Sequence, residues 1–282
     1  MTSATSVSSR SLGLPLAGKT AVVTGAGRGI GRAIAEALSE DGAFVCAIAR
    51  DAEQVADFAR VVGEFGGRAL SVPADIRDPD DLARATSRIL DEVGAVDILV
   101  NNAGNNVKRP MIPLPVADPD QKVGQPGSGP ASVGLTDEEW DSVLDTHVRG
   151  SIQLVRAFVP GMLERRFGRV INIGSTAVER SSNLTAPYQV AKGAMTQLTK
   201  SMAKEWAAFG ITVNAIAPGH FRTELTKALH DSEEGQAWLY ERIPMHHTGD
   251  VRELGSLAAH LASDRASFIT GQVIYVDGGE TL

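Results

Sequence analysis

The sequence predicts an α/β domain: a doubly wound parallel sheet of seven strands with helices on both faces. Two observations carry this. From Thr20 onward, short continuous apolar runs alternate with amphipathic helical periods, the pattern of strands buried on both faces and separated by covering helices. A glycine-rich turn also joins the first apolar run to the first helical period. Hydrophobic residues make up 43% of the 282, enough for a real core.

The first strand is expected at 21–24 and the first helix at 30–40, joined by Thr24-Gly25-Ala26-Gly27-Arg28-Gly29-Ile30-Gly31. Glycines let the backbone turn tightly and approach a pyrophosphate, and the helix N-terminus offers free N–H groups and a positive dipole end. Gly25, Arg28, Gly29, Ile30 and Gly31 are therefore candidates for binding a dinucleotide. The second strand is expected at 44–49, followed by a helix at 52–64. An acidic residue ending this strand would accept from a ribose 2′-hydroxyl. Here Ala49 holds that place and Arg50 follows it. Arg28 and Arg50 would bracket a 2′-phosphate with charge-assisted forks, favouring NADP(H), while Asp51, one residue on, keeps NAD(H) open. Arg50 is equally what a solvated strand end carries.

The third strand, 69–73, leads to a helix at 80–93, and the fourth, 97–100, runs into Asn101-Asn102-Ala103-Gly104. Residues 110–134 break the rhythm with six prolines and four glycines, an insertion of the kind that is functional or disordered. Thr136 and Glu139 then match a capping box, opening a helix expected over 136–165. Strands at 170–173, 212–216 and 273–276 and a helix at 186–208 complete the pattern. Residues 1–14 read as a disordered tail: 2–11 hold seven Ser or Thr and lack the apolar stretch of a secretory signal. A single domain is expected to span 15–282.

The net charge of −7 disfavours nucleic-acid and anionic-membrane partners. Cys46 is the one cysteine, which excludes an intramolecular disulfide and a cysteine-based zinc site, and no metal is expected. No apolar run approaches the ~18 residues that span a membrane. The balance reads as a cytoplasmic protein acting on a small molecule.

Tyr188 and Lys192 stand one helical turn apart on the 186–208 helix and share a face, and Ser175 follows the fifth strand. Together with the glycine loop and the Asn101–Gly104 turn, they make residues 17–282 resemble the short-chain dehydrogenase/reductase family. The resemblance implies a Rossmann fold and hydride transfer between a secondary alcohol and a nicotinamide. It implies Tyr188 as acid/base, Lys192 lowering its pKa and holding the nicotinamide ribose, and Ser175 orienting the reacting oxygen. Lowering a tyrosine from a pKa of about 10 to ~7 takes roughly 4 kcal/mol, about what one ammonium at ~4 Å supplies at an effective dielectric of ~20. The resemblance also places Asp75 and Ile76 at the adenine. Asn102, Ala103 and Gly104 would lie beside the cofactor, and Pro218, Gly219 and Thr223 near the nicotinamide carboxamide.

One departure concerns a helix segment that in the family reads N-L-x-G and here reads His147-Val148-Arg149-Gly150. The family's asparagine supports a water linked to the lysine. His147 either keeps that relay, adding a titration near neutrality, or is a packed helix residue. The family's usual homotetramer would pack the 136–165 and 186–208 helices on symmetry mates. Leu154, Phe158, Met195, Leu198 and Met202 would supply that interface or the intrachain core.

The segments 200–206 and 223–229, with Trp238 and Arg242-Ile243-Pro244, are similar to gluconate 5-dehydrogenases and related sugar-acid or polyol dehydrogenases. Arg109, Arg180 and His220, with Lys108 and Arg222 nearby, would suit an anionic substrate if they faced one cleft. A 3-oxoacyl thioester reductase shares the same core motifs. From another class, a dinucleotide-binding sensor without turnover is the alternative.

Overall fold

The computed structural model describes residues 13–115, 130–224 and 226–282. The expected tail, up to residue 12, and the middle of the insertion, 116–129, lie outside the described residues.

Seven strands form one parallel sheet: β1 (Thr20–Thr24), β2 (Phe44–Ala49), β3 (Ala69–Pro73), β4 (Ile98–Asn101), β5 (Gly168–Ile173), β6 (Ile211–Pro218) and β7 (Val273–Val276). Their order is β3-β2-β1-β4-β5-β6-β7. The helices are α1 (Gly29–Glu40), α2 (Ala52–Glu64), α3 (Pro79–Val93), α4 (Asp137–Leu144), α5 (Gly150–Arg165), α6 (Ala186–Trp206), α7 (Lys227–His230), α8 (Glu233–Arg242) and α9 (Val251–Ala262). None among the described residues is long and apolar enough to cross a membrane.

The strand period of two divides the core. Val23, Ala47, Val100 and Ile171 face one way and pack with Ile34 and Leu38 of α1, Phe58 of α2 and Leu254 of α9. Val22, Ile48, Leu99 and Val170 face the other and pack with Ile89 of α3, Leu154 and Phe158 of α5 and Met202 of α6. Burying each such side chain stabilises the fold by roughly 1.5–3 kcal/mol before entropy is counted. Of the residues offered to either core or interface, Leu154, Phe158, Met195 and Met202 are buried within the chain, and Leu198 packs partly buried against the same core.

The helix expected over 136–165 is interrupted. A π-helical stretch, Asp145–Arg149, lies between α4 and α5. Widening the register frees carbonyls, and hydroxyls take them up: Thr146 Oγ1 donates to Ser142 O at 2.7 Å and Ser151 Oγ to His147 O at 2.8 Å. A Cβ on Gly150 would lie 2.9 Å from Ile76 O, so glycine there lets the helix sit close to the loop after β3.

The two described ends of the insertion are pinned together. Leu114 N–H donates to Ala131 O at 2.9 Å and Leu135 N–H to Pro110 O at 2.8 Å.

Candidate active site

Strand order reverses between β1 and β4, where helices leave on opposite faces and a crevice opens beyond the strand ends. A cleft of about 700 Å³ occupies that place.

One wall is the glycine loop. Gly25 and Gly29 hold left-handed backbone, with φ of +64° and +59°. A Cβ on Gly31 would lie 2.2 Å from Gly25 O, so the loop closes on α1 only with glycine there. Arg28, preceding α1, makes no side-chain cap, so the helix presents its first N–H groups to the cleft. Neighbouring α2 is capped by Asp51, whose carboxylate accepts from the N–H groups of Glu53 (3.0 Å) and Gln54 (3.1 Å). A bare backbone cradle at an open helix N-terminus fits a dinucleotide pyrophosphate. Arg28 and Arg50 line the same end of the cleft.

Asp75 also lines this end, gripped by Arg77 at 2.6 Å and held below the usual carboxylate range chiefly by that hydrogen bond. Thr24 Oγ1 accepts from the N–H of Asn102 (2.9 Å) and Ala103 (3.0 Å), and Asn102 Nδ2 donates to Thr24 O at 2.8 Å. These bonds staple the ends of β1 and β4 and set the turn against the cleft. Thr223 closes it from above, its side chain 3.6 Å from where a Gly29 Cβ would lie.

The floor carries the catalytic candidates. Asn101 Nδ2 donates to Asn172 Oδ1 (2.9 Å), Asn172 Nδ2 to Thr199 Oγ1 (2.8 Å), and that hydroxyl to Met195 O (2.8 Å). This buried chain locks β4, β5 and α6 together, so Ser175 after β5 and Tyr188 and Lys192 on α6 keep fixed positions. Ala177 N–H donates to Ser175 Oγ at 3.1 Å, and the Ser175 hydroxyl favours the ionised form of Tyr188. Lys192 Nζ donates to Ile173 O at 2.6 Å and stands 5.5 Å from the Tyr188 ring centre.

His147, in the π-helical stretch, meets the Tyr188 ring edge-on at 5.5 Å between centres. Its Nε2 lies 2.8 Å from Asn105 O and 3.2 Å from Asn105 N, so the ring bonds the Asn105 backbone as donor or as acceptor according to its tautomer. The imidazole lies against Gly104, where a Cβ would come 2.3 Å from Cε1.

Electrostatics here differ from the sequence expectation. Burial pushes Tyr188 up, with the Ser175 bond opposing, and pulls Lys192 down to about 7. In the protein alone, burial therefore drives both groups toward their neutral forms. His147 is held down at about 3 by burial first and by the charge of Lys192 second, against a bond to Asn105. Burial thus removes the titration near neutrality that its side chain suggested.

The cleft gathers Gly25, Arg28, Gly29, Ile30, Gly31, Arg50, Asp75, Ile76, Asn102, Ala103, Gly104, His147, Ser175, Tyr188, Lys192, Pro218, Gly219 and Thr223. It does not gather the expected substrate cations. Arg109 pairs with Glu139 at 2.7 Å, His220 with Glu280 at 3.3 Å, and Arg180 is exposed outside the cleft lining. Arg222 likewise pairs with Asp231 at 2.6 Å. Three of these side chains pair with carboxylates carried by other segments. Arg77, Asn105 and Thr226 line the cleft without having been singled out in the sequence. They belong to no spacing pattern, and only their nearness to Asp75, Gly104 and Thr223 hinted at them.

Residues 25–281 match the family model described as Enoyl-(Acyl carrier protein) reductase. The chain is 38% identical over 265 residues to the 3-oxoacyl-(acyl-carrier-protein) reductase FabG of Vibrio cholerae, covering 94% of this chain and 98% of that one. It is 34% identical over 267 residues to the gluconate 5-dehydrogenase of Gluconobacter oxydans, covering 95% and 96%. Among solved structures it resembles a gluconate 5-dehydrogenase from Burkholderia cenocepacia in complex with NADP and tartrate. The TM-score is 0.83 at 34% identity, covering 95% of this chain and 97% of that one.

Proposed function

Because this chain belongs to the short-chain dehydrogenase/reductase family, we propose that it interconverts a secondary alcohol and a ketone of a sugar acid or polyol with NADP(H). It is an NAD(P)-dependent oxidoreductase, and the observation that carries the reaction is one cleft holding both the bare glycine cradle and the Ser175, Tyr188 and Lys192 cluster. NADP(H), when bound, supplies or accepts the hydride. Arg28 and Arg50 would hold its 2′-phosphate, and the NADP-bound Burkholderia relative supports that choice.

In the ketone-reducing direction Tyr188 gives its proton to the carbonyl oxygen, and Ser175 donates a hydrogen bond to the same oxygen. In the reverse direction Tyr188 accepts the alcohol proton. Lys192, anchored on Ile173 O, keeps a further donor for the nicotinamide ribose. His147 holds the Asn105 loop and flanks Tyr188, without itself exchanging the reaction's proton.

With Arg109, His220 and Arg222 paired to carboxylates, substrate recognition falls to hydrogen bonds more than to net charge, which suits a polyhydroxy compound. The gluconate 5-dehydrogenase relatives support this reading. The 38% identity to a 3-oxoacyl reductase favours a second one, reduction of a 3-oxoacyl thioester. Nicotinamide absorbance, with NADPH and NADH offered against 5-ketogluconate and an acetoacetyl thioester, separates them. Oxidation of NADPH by the keto sugar acid supports the proposal, and oxidation by the thioester alone replaces it with the second reading. By family resemblance, the enzyme is further proposed to be a cytoplasmic homotetramer whose domain spans 15–282.

A further inference from the structure

The strip after β6 is two-faced. Pro218, Gly219, Phe221, Thr223, Glu224 and Thr226 line the cleft. His220, between them, turns the other way and meets Glu280.

Glu280 is an unusual residue to find inside a protein. Its side chain is only 3% exposed, although it sits two places from the chain's last residue. Two elements converge on it. His220 Nε2 from the strip lies 3.3 Å from Oε1, and Arg242 Nε from the end of α8 lies 3.4 Å from the same oxygen. Trp238 of α8 completes the cluster, with the His220 ring edge-on at 5.5 Å and the Arg242 guanidinium 4.5 Å from its ring centre. The other carboxylate oxygen, Oε2, lies 3.3 Å from where a Gly219 Cβ would stand, so the C-terminal turn presses directly on the strip. The turn is itself braced, since Asp277 accepts from the N–H groups of Gly279 and Thr281 at 3.0 Å.

We propose that Glu280 is a positioning residue for the cleft: acting through His220 and Arg242, it clasps the 219–224 strip and α8 to the C-terminal turn and so holds Phe221 and Thr223 over the bound reactants. A buried carboxylate without its partners would be costly, so the strip is docked when both contacts are made. Tyr188, Ser175 and Lys192 sit on α6 and after β5, outside the clasped segment, so the proton-transfer step does not depend on it.

Glu280→Gln keeps shape and removes the charge. We expect amide exchange to rise selectively over 219–242 in the full-length protein. With the keto substrate identified by the absorbance assay, KM should rise about tenfold, the order a sub-ångström displacement of positioning groups produces, while the pH at which kcat breaks stays put. His220→Gln, which leaves Glu280 paired with Arg242, should shift both readouts the same way, and the double variant should be no worse than Glu280→Gln alone. Unchanged exchange over 219–242 in both single variants overturns the proposal, as does exchange raised equally throughout the sheet. If Glu280→Gln fails to fold, His220→Gln alone decides by the same exchange readout. The KM arm rests on the proposed reaction and the exchange arm does not, so a substrate panel that stays silent fails that reading without touching the clasp.

Discussion

In the proposed reaction Tyr188 carries the proton, and general acid–base groups of this kind contribute about 10²–10⁴-fold. Tyr188→Phe should therefore lose turnover by that order while NADPH fluorescence still reports binding. Turnover retained in that variant would remove Tyr188 from its role. His147 makes a pH prediction. Its folded pKa of about 3 lies below the ordinary 6.5. Between those values the unfolded chain binds a proton that the folded chain does not, so stability falls as pH falls through that window. His147→Asn should flatten the dependence of Tm on pH between about 6.5 and 3, leaving the break in kcat/KM above neutrality where it was. An unflattened profile would assign the acid sensitivity to other groups. Spacing made Tyr188 and Lys192 legible as a pair in the sequence, because a helix brings residues one turn apart to one face whatever surrounds it, whereas Ser175, after β5, was singled out by resemblance. It did not reveal that His147 is neutral or that Tyr188 is pushed up, since both follow from burial by segments distant in the chain.

At the scale of elements, the proposed reaction assigns cofactor binding to the glycine loop and the strand ends. Replacing Arg50 by Ala removes one charge-assisted partner of a 2′-phosphate, a loss of about 1.5–3 kcal/mol, or roughly 10–100-fold in KM for NADPH. KM for NADH should hardly move, and a parallel change in both would place Arg50 outside 2′-phosphate recognition. Gly104→Ala drives a methyl into the His147 ring and should cost about 1–3 kcal/mol in denaturant melts. Gly63→Ala in α2, where a Cβ meets nothing within 4 Å, should instead stabilise by roughly 0.5–1 kcal/mol. The elements themselves were legible, because continuous apolar strands and amphipathic helices announce themselves by period. The π-helical stretch at Asp145–Arg149 was not, since a register shift inside a helix leaves the period nearly intact and is decided by hydroxyls such as those of Thr146 and Ser151 finding carbonyls.

For the whole molecule, family resemblance predicts a homotetramer, and light scattering on a sizing column should return a four-chain mass; a monomer would refute it. The apolar residues of α5 and α6 offered to that interface are spent within the chain, so contact between copies would fall to outward positions such as Val190 on α6. By itself the sequence determined the doubly wound sheet, the glycine-rich turn before α1 and the one-turn spacing of Tyr188 and Lys192, because each is written in local periodicity or in one short motif. Only the tertiary structure decided the strand order β3-β2-β1-β4-β5-β6-β7, the burial that sets the protonation of Lys192 and His147, and the direction of the mouth cations. Arg109 and His220 turn from the cleft to Glu139 and Glu280 because their partners are brought up by other elements. Charge is readable in a sequence, but where a charged side chain points depends on contacts between residues far apart along the chain.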